Sequence, residues 1–214
     1  MTPACSMFVC AAAVLALLAA EYLGSQPGKW LSKPLASMAF VATAVESGAL
    51  DSSYGRWLLL GLLLSLLGDV LLLPAHRPRI FRGGVFAFLA AHVAYIAAFL
   101  TQPVNLVGTL VAGGMLAFAL RAAWRWLRRT LTADLRAAVA SYFVVIGTMA
   151  TLACGMVPAG APVTVALAAL MFAASDLAVA RDRFVREDFW NRAWGLPLYY
   201  GAQLLLARSI AALS

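Results

Sequence analysis

Eight apolar runs follow one another along the chain, separated by short breaks that carry proline, glycine and charge. Each is about the length a helix needs to cross a hydrocarbon core, roughly 20 residues. The runs lie near residues 6 to 24, 30 to 47, 56 to 74, 82 to 101, 103 to 127, 134 to 157, 161 to 180 and 191 to 213. In the second, Lys33 and Pro34 fall in the first turn, where proline is tolerated because that turn's N–H groups have no helical partner, and Glu46 closes the run. Breaks such as Gln102-Pro103 leave room only for a turn, so consecutive helices are expected to be antiparallel neighbours. The pattern predicts an all-α fold, a polytopic membrane bundle of eight transmembrane helices forming one domain over residues 1–214.

Basic residues test this count independently, because they are retained on the cytoplasmic side of a membrane. The odd-numbered breaks hold Lys29 and Lys33, then Arg77, Arg79 and Arg82, then Arg121, Arg125, Arg128, Arg129 and Arg136, then Arg181, Arg183, Arg186 and Arg192. The even-numbered breaks hold Arg56 alone, and Arg208 lies in the last run. Both termini are therefore expected on the non-cytoplasmic side. The six tryptophans, Trp30, Trp57, Trp124, Trp126, Trp190 and Trp194, fall near helix ends, as an interfacial aromatic belt requires. Residues 1–10 contain no Lys or Arg, so the basic region of a cleavable signal is missing and the first helix is expected to be retained.

Composition removes the soluble alternatives. Of 214 residues 64% are hydrophobic and only 12% charged, against about 25% charged in an ordinary soluble domain. A mean hydropathy of +0.88 excludes a disordered tail or a soluble nucleic-acid binder despite a net charge of +7. Cys5, Cys10 and Cys154 are odd in number and lack C-x-x-C spacing, so neither a disulfide framework nor a metal site is expected, and no cofactor is implied. A weak repeat relates Leu64–Asp69 to Met171–Asp176 at an offset of 107, half the chain, and suggests a four-plus-four duplication.

Ionisable groups inside apolar spans cost a few kcal/mol each and must be paired, interfacial or facing a polar cavity. The chain has few: Glu21, Asp69, Asp176, His92 and Lys33, with Ser65, Tyr95, Tyr142, Ser175, Tyr199, Tyr200 and Gln203 as polar companions. The expected topology puts most of them in one layer in the cytoplasmic half, which points to a common cavity. Asp69, Asp176 and His92 are the candidate catalytic groups and the rest, Glu21 and Lys33 included, candidate substrate contacts. Two carboxyls at one low-dielectric cavity behave as a coupled acid and base. That suits hydrolysis of an acid-labile bond without a metal. No H-E-x-x-H, G-x-S-x-G or P-loop pattern supports zinc, serine-nucleophile or nucleotide chemistry.

The polar positions form an ordered set: Lys33-Pro34-Leu35, Ser65-x-x-Gly68-Asp69 with Leu72 following, Phe81-x-x-Gly84-x-x-x-Phe88-x-x-x-His92-x-x-Tyr95, Ser175-Asp176 with Ala180 following, and Tyr200-x-x-Gln203. The set resembles the YhhN-like family of eight-helix integral membrane proteins, which includes the vertebrate lysoplasmalogenases, and the resemblance covers nearly the whole chain. It implies hydrolysis of the vinyl ether bond of a lysoplasmalogen, a lysophospholipid substrate met within the membrane, to a fatty aldehyde and a glycerophospho-amine. Asp69 and Asp176 match the acidic positions of the family's motifs, and His92, Tyr95, Tyr200 and Gln203 its other polar positions. Which aspartate is acid and which base stays open. Lys33, Arg77 or Arg79 would hold the phosphate, and a bacterial inner membrane is the expected location. Two other classes use membrane carboxylates. An intramembrane aspartyl protease needs G-x-G-D, and Leu66 stands where its first glycine belongs. A proton-coupled lipid or small-molecule transporter fits a repeat, and aldehyde release would separate it from a hydrolase.

Overall fold

The computed structural model of the chain describes residues 2–74 and 77–214. Its regular elements are the helices α1 (Pro3–Tyr22), α2 (Gln26–Glu46), α3 (Ser53–Leu71), α4 (Pro78–Phe99), α5 (Leu106–Leu127), α6 (Ala133–Met156), α7 (Val163–Phe184) and α8 (Phe189–Leu213), with a short 3-10 turn at Val157–Ala159. Local chemistry sets the helix starts. Ser25, Ser52, Asn105 and Asp188 each accept a backbone N–H of the first turn, while Pro3, Pro27 and Pro78 sit where a missing N–H costs nothing. Gly24, at φ 67°, lets the chain reverse between α1 and α2.

These caps correct the expected bounds. Because Ser25 and Pro27 start α2 at Gln26, Lys33 and Pro34 lie about two turns inside the helix and not in its first turn, and Pro34 is an interior proline. The apolar run begins only at Trp30, so hydropathy missed the polar opening turn. At the other end of the chain α7 continues to Phe184, which places Arg181 and Arg183 in its last turn, where cations oppose the exposed carbonyls.

Six helices, α1 and α3 to α7, are long and apolar enough to cross a membrane; α2 and α8 are not. The polar residues they carry lower the hydropathy of both. Helix α8 lies against α1, α2, α3 and α7, and α2 against α1, α3 and α8. Helix α8 buries Asn191, Tyr199, Tyr200, Gln203 and Ser209 among others, whereas α5 buries only Leu127. A helix shielded by its neighbours can carry polar groups that satisfy one another, while a helix facing lipid must be apolar all round.

The pairs α1/α2, α3/α4, α5/α6 and α7/α8 form hairpins, but among the described residues α4 and α5 are not packed neighbours, contrary to the expectation from the short Gln102-Pro103 break. Beyond them α2 packs on α3 and α8, and α6 on α7 and α4, so exchanging the first four helices for the last four maps these contacts onto one another. Two glycines draw α3 against α4. A Cβ at Gly61 would strike the ring of Tyr95, and one at Gly68 would stand 2.7 Å from the ring of Phe88. The resulting contact sets the height of His92, which lies on α4 between those two aromatic residues.

Candidate active site

Helix α3 carries Asp69 in its last turn, 2% exposed. Two helices, α2 and α8, converge on it. Lys33 Nζ lies 3.3 Å from Oδ1, and the hydroxyls of Ser37 and Tyr199 each donate to Oδ2 at 2.7 Å. Lys33 and Ser37 are four residues apart, hence on one face of α2. The Tyr200 hydroxyl lies 3.3 Å from Ser37 Oγ and donates to the Lys33 carbonyl at 3.3 Å. The site thus holds a carboxylate, a cation and three hydroxyls, with little contact with solvent.

Asp176 on α7 is arranged differently. Tyr142 of α6 donates to Oδ2 at 3.0 Å, and His92 Nε2 of α4 lies 3.4 Å from the same oxygen. His92 is fully buried, and its Nδ1 stands 2.7 Å from the Phe88 carbonyl. A carbonyl can only accept, so Nδ1 carries a proton; when the ring is neutral, Nε2 presents a lone pair toward Asp176. Among the described residues no lysine or arginine lies within ion-pair distance of Asp176.

Phe172 joins the two arrangements. Its ring centroid is 4.6 Å from that of His92 and 5.4 Å from that of Tyr199. Among the described residues no hydrogen bond or ion pair runs directly from Asp69 to Asp176; the contact between their surroundings is aromatic. Tyr199 and His92 are themselves 107 residues apart, the offset that separates the two aspartates. Each carboxyl is therefore met by a ring at the corresponding position of the other half of the chain.

A third polar chain lies beside them. Ser65 Oγ is 3.2 Å from the Tyr95 hydroxyl, which donates to Gln203 Oε1 at 2.8 Å, and Gln203 Nε2 is buried. Two expected site residues lie outside these groups. Ser175 turns back on its own helix, donating to the Phe172 carbonyl at 2.7 Å. Glu21 instead pairs with Lys29 at 2.7 Å and Arg192 at 3.5 Å, and Arg192 also holds Asp182 and Glu187. That ion network ties α1 and α2 to the α7/α8 connection. The buried Asn191 braces it, bonding to Asp182 at 3.1 Å and the Arg186 carbonyl at 2.7 Å.

Sequence reasoning missed Ser37 and Phe172. Ser37 was findable, since it stands one turn beyond Lys33 on the same face of α2; Phe172 carries no polar signal. Among the described residues no group of His, Cys, Asp or Glu side chains is arranged to hold a metal.

The YhhN family model matches residues 28–210. Lysoplasmalogenase TMEM86A of Bos taurus is 30% identical over 155 residues, which is 70% of this chain and 62% of the bovine protein. Lysoplasmalogenase TMEM86B of Sus scrofa is 30% identical over 181 residues, 83% of this chain and 72% of the porcine one. The chain thus spans less than two thirds of the first relative's length and somewhat more of the second's. No solved structure matches the chain.

Proposed function

The chain belongs to the YhhN family, and from that premise we propose that it is a membrane-embedded lysoplasmalogenase. It would cleave the vinyl ether bond of a lysoplasmalogen with water, giving a fatty aldehyde and glycerophosphoethanolamine or glycerophosphocholine. Its 30% identity to two proteins named lysoplasmalogenase carries this reading, and the proton-handling groups around Asp176 are compatible with it.

Vinyl ethers hydrolyse by protonation at the β-carbon. The oxocarbenium ion that results takes up water to give a hemiacetal, which collapses to the aldehyde and the free glycerol hydroxyl. Charge balance distributes the roles. Asp69 has Lys33 beside it and two hydroxyls on one oxygen, so it serves as the carboxylate that stabilises the cation and orients water. Among the described residues Asp176 has no cation to balance it when His92 is neutral, and a half-buried carboxyl without one is best accommodated with its proton. It donates that proton to carbon and recovers it from the incoming water, with His92 Nε2 and the Tyr142 hydroxyl positioning it.

In this reading all eight helices cross the membrane, α2 and α8 as the shielded members, and both termini face away from the cytoplasm of a bacterial inner membrane. Reporter fusions at Ser214 are expected on the non-cytoplasmic side and fusions near Arg128 in the cytoplasm; a cytoplasmic C-terminus overturns the topology. The activity is tested by incubating purified protein with lysoplasmalogens, lysophospholipids and intact plasmalogens and reading products by mass spectrometry. Fatty aldehyde from the lysoplasmalogens alone supports the assignment. Fatty acid release, or no product from any vinyl ether, refutes it.

A further inference from the structure

Two concavities meet on the outer face of the α3/α4 hairpin, away from both aspartates. The larger, about 420 Å³, is an apolar groove whose lining includes Leu64, Phe86, Ala90 and Ala94 together with Trp57 and Leu60. The second, about 390 Å³, shares Trp57 and Leu60 with it and is completed by Ser53 and Arg56. They form one trough, polar and cationic at the start of α3 and apolar toward the middle of the hairpin.

The two ends ask for one kind of occupant. Both helices are apolar enough to cross the membrane, so the trough opens to lipid. At its polar end the Arg56 guanidinium makes two long bonds, to the Leu50 carbonyl and Ser53 Oγ, each 3.3 Å, and no carboxylate lies within ion-pair distance among the described residues. Its remaining N–H donors are free to take a bidentate oxyanion. Trp57 beside it marks the depth of the headgroups. A phosphodiester joined to a hydrocarbon chain matches both the charge and the groove.

We propose that this trough is a binding site for a glycerophospholipid of the leaflet at the α3 N-terminus, with its phosphodiester on Arg56 and Ser53 and one chain along Leu60, Leu64, Ala90 and Ala94. This lipid is not the substrate. Arg56 and Asp69 are thirteen residues apart on one helix, about 20 Å at 1.5 Å per residue, so a headgroup held by Arg56 keeps its glycerol far from either carboxyl. The lipid acts instead as a splint on the hairpin that carries Asp69 and His92. Leu64 and Ala94 line the trough, while their neighbours Ser65 and Tyr95 turn inward and meet at 3.2 Å.

The test is native mass spectrometry of the detergent-solubilised full chain, titrated with phosphatidylglycerol and with a diacylglycerol of the same chains. It reads binding and does not depend on what the protein hydrolyses. One saturable phosphatidylglycerol is expected, with the diacylglycerol about tenfold weaker for lack of the charge-assisted contact. Arg56 and Ala90 are both exposed, so changing them leaves the core intact. Arg56→Gln is expected to weaken binding about tenfold, and Ala90→Trp, which fills the groove, to abolish the saturable component. Wild-type affinity in either variant, equal binding of the diacylglycerol, or adducts that accumulate without saturation would overturn the site.

Discussion

Asp69 on α3 and Asp176 on α7 lie 107 residues apart and are surrounded in different ways. Around Asp69 the protein supplies Lys33 and packs the carboxyl side chain to 3% exposure; around Asp176 it supplies an imidazole and a phenol, and the side chain keeps 17%. A carboxylate next to Lys33 is fixed by charge, and its hydroxyl donors have nothing to exchange with it. A carboxyl next to a neutral imidazole can hand a proton back and forth, because acceptor and donor differ by that one proton. In the proposed reaction the two acids, on α3 and α7, divide into a holder of charge and a mover of protons through their different neighbours.

The strongest test of that division is removal of each carboxyl. Asp176→Asn and Asp69→Asn are each expected to lower aldehyde release by 10²-fold or more, the usual contribution of a positioned acid or base, with the double variant little worse than either single one. A folded variant keeping more than about a tenth of wild-type turnover would break the comparison at that residue. Lys33→Met separates charge from chemistry. It strands Asp69, so it is expected to destabilise the protein by about 3–5 kcal/mol in thermal unfolding, and adding Asp69→Asn should restore most of the loss. Tyr142→Phe removes the single hydroxyl donor on Asp176; a fall in kcat of about tenfold with an unchanged KM is expected, since a bond to a charged or proton-sharing group is worth about 1.5–3 kcal/mol. The smallest effect is expected from Ser37→Ala, about 1 kcal/mol in stability, because Asp69 retains Tyr199 and Lys33.

Much of this was legible in the chain, for identifiable reasons. The helices announced themselves because lipid enforces apolar runs, and Asp69, Asp176 and His92 stood out because lipid makes such groups rare. What the chain hid was whatever depends on neighbours. The polar start of α2 at Ser25 and Gln26 is invisible to hydropathy, which puts Lys33 in the first turn, whereas it lies about two turns inside α2 and beside Asp69. Glu21 and Ser175 have the same composition signal as the other candidate residues, and only packing reveals that one joins an ion network and the other bonds to its own helix. The low hydropathy of α8 reads as weakness in a sequence window but is a consequence of its central place.

The placement of the aromatic residues gives the molecule two separate optical reporters. The tryptophans sit toward helix ends, with Trp30, Trp57, Trp126, Trp190 and Trp194 exposed. Four tyrosines, Tyr54, Tyr95, Tyr199 and Tyr200, are buried and bonded through their hydroxyls. Emission excited at the red edge of the indole band therefore senses the detergent or lipid around the protein. Tyrosine absorbance in the near ultraviolet senses the interior. A change of detergent that moves the first signal and leaves the second in place will mark a preparation whose catalytic helices are still assembled.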